Sequence, residues 1–238
     1  MSTPRPYYEN EQVVIYHGDC REIIPTLPSQ SVDLLLTDPP YGISYQSGQR
    51  QVQFDFMQND DDIRVAVEGI KKALRVLRKE RHLYIFGPTA MLEGMPVTSP
   101  VELIWDKSGM SSGDLKCPWG KAYEYIQFAI VNRSAPSLRD GHGRLAARLR
   151  RGSVVHCPRL NGRQIRHPTE KPVALLRELI ESSSCIGETV FDPFCGVGST
   201  LVAACLEGRK AIGIEIEERY CEIAQERLEA INRAPRLL

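Results

Sequence analysis

Asp38 closes a run of leucines in LLLTDPPYG, residues 34–42, and is followed by Pro39, Pro40 and Tyr41. The carboxylate accepts hydrogen bonds, the two prolines fix φ and present carbonyls without competing N–H donors, and the tyrosine offers a flat ring. A second constellation, VFDPFCGVGST at 190–200, reads as a strand, a turn holding Gly196 and Gly198, and the start of a helix. Such glycines let backbone approach a ligand, and the helix N-terminus behind them favours partial negative charge. A dinucleotide fingerprint needs a third small residue where this chain has Leu201, and no Gly-Lys-Ser/Thr follows to make a phosphate loop. An adenosine ligand without a pyrophosphate remains. Glu215, at the end of the next apolar run in GIEIEERY (213–220), is placed to accept both ribose hydroxyl protons.

These residues need a sheet to position them. Seven apolar runs alternate with helical patterns: 13–17, 32–38, 82–86, 101–105, 125–131, 189–192 and 211–216. That alternation predicts an α/β fold with a mostly parallel sheet. Residues 61–80 repeat Ile63, Val67, Ile70, Leu74 and Leu77 at helical spacing behind N-cap oxygens at 59–61, so a helix is predicted over that whole stretch. Further helices are predicted over 173–183, 199–207 and 217–231. Two regions break the pattern and read as outside the core: a polar stretch at 42–60, and 133–166, with nine arginines against one acid, Asp140.

The bulk figures bound the rest. A chain of 238 residues makes one domain or a domain with an insertion. Net charge is zero, against a surface that is polyanion-binding throughout, though a local basic patch is compatible with it. Seven cysteines without a C-x-x-C pair give neither a disulfide framework nor a zinc site. With no secretory leader pattern and no apolar stretch near bilayer length, the expectation is a cytoplasmic protein.

TDPPYG, then HPTEKP (167–172), then FDPFCGVGST and GIEIEERY, in that order, resemble the β-class of S-adenosylmethionine-dependent DNA amino-methyltransferases. Families with Asn-Pro-Pro-Tyr that methylate protein glutamine or ribosomal RNA carry the glycine motif first; the reversed order here favours the DNA class. The resemblance implies a Rossmann-like sheet of the class I methyltransferase type, seven-stranded with one strand reversed, circularly permuted in motif order, as a single domain over 1–238. Residues 133–166 would be an inserted target-recognition region contacting double-stranded DNA. It further implies that Asp192, Pro193, Phe194, Gly196 and Gly198 cradle the methionine part of S-adenosylmethionine, with Glu215 on its ribose and Ile216 against its adenine. HGDC (17–20) looks like the family's strand-end acid, which would put Asp19 on the adenine amino group with Cys20 nearby. Thr169 and Lys171 become candidates for the methionine carboxylate. No metal is implied, and relatives are often homodimers.

The chemistry this implies is specific. An exocyclic amine on a base is a poor nucleophile because its lone pair is delocalised into the ring. The Asp38 carboxylate and the Pro39 carbonyl can each accept one of its N–H groups, with Pro40 stiffening the turn and Tyr41 stacking on a base extruded from the duplex. A C5-cytosine mechanism is disfavoured, since it needs a Pro-Cys turn and this chain has only Cys-Pro, at 117–118 and 157–158; Cys195 reads as a small filler. Asp at the first motif position is typical of N6-adenine enzymes. N4-cytosine methylation, an RNA substrate and an idle binding module remain alternatives.

Overall fold

The structure, a computed structural model, describes residues 4–40, 63–109, 119–120, 122–131, 151–160 and 170–233. Among the described residues nine strands form one sheet: β1 (Tyr8–Glu9), β2 (Val13–His17), β3 (Val32–Thr37), β4 (Leu77–Phe86), β5 (Val97–Asp106), β6 (Tyr123–Val131), β7 (Val154–His156), β8 (Thr189–Asp192) and β9 (Lys210–Glu215). Their order is β1-β2-β9-β8-β3-β4-β6-β5-β7. The seven expected strands are the contiguous middle of that sheet. Among them only β6 is reversed, pairing antiparallel with both β4 and β5. The expected count of seven is corrected by two short edge strands, β1 and β7.

β3 shows why a triple leucine suits the sheet centre. Leu34 and Leu36 enter one apolar cluster, with α3 (Val173–Ser183), α4 (Ser199–Leu206) and α5 (Glu218–Arg233). Leu35 enters the other, with α1 (Cys20–Ile23) and α2 (Ile63–Val76). A strand covered on both faces has no polar side to spare. On one side of β3 the chain runs β8, α4, β9, α5; on the other it runs β3, α2, β4. The strand order therefore reverses between β8 and β3, the switch point where open α/β sheets bind ligands beyond their carboxyl ends.

Two expectations need correction. The helix predicted over 61–80 ends at Val76, and Leu77–Glu80 begin β4. The reason is electrostatic: Asp33, buried in β3, takes the Arg78 guanidinium and lies 3.2 Å from that of Arg81, and the pairing register shifts between Val32 and Leu34 to allow it. A buried carboxylate needs its cations, and that need outweighs local helix propensity. The second correction concerns 133–166, which does not lie wholly outside the core. β7 adds to the edge of β5, Val155 and Cys157 are buried, and the Trp105 indole donates to the Cys157 carbonyl at 2.7 Å. Residues 42–60, with Tyr41, Tyr45, Phe54 and Phe56, lie outside the described residues, as do the 59–61 caps, Thr169 and most of 133–166.

Candidate active site

The carboxyl ends of β3 and β8 carry the two constellations to one point. Thr37, the last residue of β3, donates from Oγ1 to Asp192 Oδ1 at 2.7 Å, although 155 positions separate them. Asp38 is therefore one residue away from a direct link to the glycine turn. Asp192 also accepts from the Phe194 amide at 3.1 Å and from the Thr200 side chain. Burial pushes the Asp192 carboxyl up to about 6, because these bonds only partly offset the desolvation of the charge, and neighbouring Asp38 adds to the shift.

Beyond Asp192, Pro193 and Phe194 lead into two left-handed glycines with different reasons for being glycine. Gly198 (φ +75°) precedes α4, and a Cβ there would come within 2.8 Å of the Ala224 Cβ. Gly196 (φ +49°) is half-buried and has nothing within 4 Å of the same position, so there the left-handed backbone, not crowding, calls for glycine. That is where a ligand can approach the main chain.

Glu215, at the end of β9, is 8% exposed and holds the turn from beneath. Its Oε2 accepts from the Gly196 amide and its Oε1 from the Glu217 amide, both at 2.8 Å. Burial raises its carboxyl above the usual range. This second role, locking the turn, was not anticipated from sequence. The ends of β2 and β9 lie side by side: the Gly18 amide donates to the Glu215 carbonyl at 2.8 Å, and His17 Nε2 is 3.1 Å from the Ile216 carbonyl. Asp19 and Ile216 thus flank one edge of the sheet. Asp19 caps α1 through the Arg21 amide at 2.8 Å, and its carboxylate is also clasped by the Arg21 guanidinium, which holds it below the usual carboxylate range. Cys20 is buried, and burial pushes its thiol up to about 12.

Around Asp38 the surprise is Lys171. Its ammonium hydrogen-bonds Asp38 Oδ2, lies 3.5 Å from Glu124 Oε2 and sits 5.0 Å from the centre of the Phe86 ring. Burial pulls its pKa down, but the two carboxylates outweigh that and hold it above the ordinary value, so it is a buried cation. The resemblance in sequence points Lys171 at the cofactor carboxylate and gives no role to Glu124, whose one signal is a lone acid in the apolar strand YEYIQFAIV. The preceding residue, Glu170, takes the opposite direction: it lies 2.9 Å from Arg227 and accepts from the Ser199 hydroxyl at the start of α4 at 3.2 Å. Arg227 also donates to the Val197 carbonyl at 2.7 Å, which ties the segment to the glycine turn.

Cys195 is buried in that turn, and burial together with Glu215 and Asp192 raises its thiol well above the ordinary value. It packs as a small apolar group rather than a nucleophile. Among the described residues no group of three or more His, Cys, Asp or Glu could hold a metal ion, and no helix is long and apolar enough to cross a membrane. Of the described arginines in the basic region, Arg151 is paired with Glu178, at 3.0 Å, and with Glu181, both on α3, so it tethers the region to the fold.

A family model described as DNA methylase matches residues 32–226, most of the chain. The DNA adenine methyltransferase YhdJ of Escherichia coli (strain K12) is 31% identical over 269 residues, covering 94% of this chain and 85% of that protein. Two solved structures share the fold. The M1.HpyAVI–SAM complex has a TM-score of 0.63 at 22% identity, covering 91% of this chain and 98% of that one. The cytosine-N4-specific PvuII DNA methyltransferase has 0.71 at 14%, covering 100% and 92%.

Proposed function

The chain belongs to the DNA methylase family, and from that premise we propose that it methylates the exocyclic N6 of adenine in a base extruded from double-stranded DNA. That it is a DNA methyltransferase follows from the family; adenine as the target is the finer step. Asp at position 38 and the likeness to an adenine enzyme support it.

The observation that carries the proposal is the Thr37–Asp192 hydrogen bond at the switch point, which sets the Asp38 acceptor beside the glycine turn. The cofactor is S-adenosylmethionine, and the residues fit it: an uncrowded left-handed turn at Gly196, the N-terminus of α4, and two buried carboxylates, Asp192 and Glu215. When bound, it supplies a methyl group on a positively charged sulfur. Phe194, Gly196 and Gly198 would hold its methionine part, with Asp192 and Pro193 shaping the turn. Glu215 would accept from the ribose hydroxyls while keeping its grip on the Gly196 amide, since each carboxylate oxygen has a second lone pair. Ile216 would lie against one face of the adenine, and Asp19, with the Cys20 backbone nearby, would receive its amino group while paired with Arg21. Thr169 is assigned to the methionine end by sequence alone.

Asp38 and the Pro39 carbonyl would each accept one N–H of the target amine. This favours a tetrahedral nitrogen with its lone pair directed at the methyl. Tyr41 would stack on the base, whose extrusion costs a few kcal/mol. No covalent enzyme intermediate is needed, and the amine proton leaves after transfer.

The test is incubation with labelled S-adenosylmethionine and duplex DNA, followed by nucleoside mass spectrometry. N6-methyladenine is expected. N4-methylcytosine would overturn the adenine assignment, and unlabelled DNA would overturn the methyltransferase reading.

A further inference from the structure

We infer that Lys171 is the positioning residue of the target-amine acceptor: its ammonium, fastened to Asp38 Oδ2, sets the orientation in which Asp38 accepts an N–H of the base, and it does not serve the cofactor's carboxylate. This rests on the methyltransferase reading and adds to it a residue that acts through Asp38.

Three observations carry it. First, Lys171 is deeply buried, with a side chain 7% exposed, and is engaged by Asp38 and Glu124 while packed over Phe86. One ammonium already faces two carboxylates, so a cofactor carboxylate would be a third anion competing for the same cation. Second, adjacent residues of the segment divide the work. Glu170 faces Arg227 and Ser199 at the glycine turn, whereas Lys171 faces the end of β3. Third, Asp38 is 20% exposed and follows the last residue of its strand, so the sheet ladder does not fix its side chain. A carboxylate gripped at one oxygen by a buried ammonium cannot rotate away, and charge-assisted bonds of this kind are the strong ones. Glu124 steadies the ammonium from β6 and is itself paired with Lys107.

Lys171→Met tests this. The turnover number at saturating cofactor and DNA should fall about 100-fold, the scale for losing one preorganised electrostatic group. Cofactor affinity by titration calorimetry should stay at the wild-type value. The acid limb of the pH–rate profile should move to higher pH, because Asp38 would then face Asp192 and Glu124 without the cation. Should that variant not fold, the double variant Lys171→Met, Glu124→Gln removes one charge of each sign, leaves the net charge unchanged, and should show the same fall in turnover and the same cofactor affinity, with a smaller shift of the acid limb in the same direction because Asp192 still faces Asp38.

Retained turnover with weakened cofactor binding would overturn the inference and return Lys171 to the cofactor. A fall in turnover with an unmoved acid limb would also overturn it, by reducing Lys171 to a scaffold residue. If wild-type protein labels no DNA, the methyltransferase reading fails first and this inference fails with it.

Discussion

On the glycine-turn side of the site, polar groups are satisfied from nearby: Glu215 by the Gly196 and Glu217 amides, Asp192 by Phe194 and Thr200. On the Asp38 side, the partners come from far along the chain, Lys171 from 133 positions away and Glu124 from β6. A strand–turn–helix unit can shape a cofactor cradle almost by itself. The proposed base acceptor, Asp38, is held instead by buried charge brought from other segments. Thr37 and Asp192 link the two sides directly, and Glu170, next to Lys171, links them again through Ser199 and Arg227.

The difference can be broken from either side. The largest effect is expected from Asp38→Ala, which should remove at least about 2.7–4 kcal/mol of transition-state stabilisation while leaving cofactor affinity intact, measured by methyl transfer and calorimetry. Next come the glycines. Gly198→Ala puts a Cβ against Ala224 in a left-handed residue and should cost about 1–3 kcal/mol of stability in urea unfolding. Gly196→Ala has open space around the new methyl and carries only the left-handed strain, so its cost in stability should be smaller than that of Gly198→Ala, with a further loss in cofactor binding.

A smaller effect concerns pH. The folded-state pKa of Asp192, about 6, exceeds its ordinary 3.8. The native state therefore holds this proton more tightly than the unfolded chain, and the contribution to stability is greatest below about 4 and is lost as pH rises through about 6. Asp192→Asn keeps an acceptor for Thr37 and Phe194 and should flatten that decline, read as urea midpoints from pH 4 to 7. The smallest change is expected from Arg151→Ala. Its ion pairs with α3 are solvent-exposed and worth less than about 1 kcal/mol, and the salt dependence of DNA binding should hardly move. The wild-type slope of log affinity against log salt should be roughly −5 if about six other arginines of 133–166 meet phosphates.

The same division governs what could be read before folding. The glycine turn, Glu215 and the leucine strand were legible because each signal is contiguous and the alternation of strands and helices is strong. The strand at Leu77–Glu80 was not, because local spacing favours a helix and only the distant Asp33 reverses it. Val155 and Cys157 were hidden in a basic stretch whose composition says surface, yet the open edge of β5 gives them a place in the core. The Lys171–Asp38 pair has no local signature at all, since nothing in HPTEKP names its partner.

The central claim is that the end of β3 presents an amine acceptor to the cofactor held by β8 and β9. Expressing wild-type and Asp38→Ala proteins in a methylation-free bacterium and quantifying modified nucleosides in its DNA tests this most directly. N6-methyladenine with the wild type and none with a folded, cofactor-binding Asp38→Ala variant is the predicted result. Equal methylation by both proteins would contradict it.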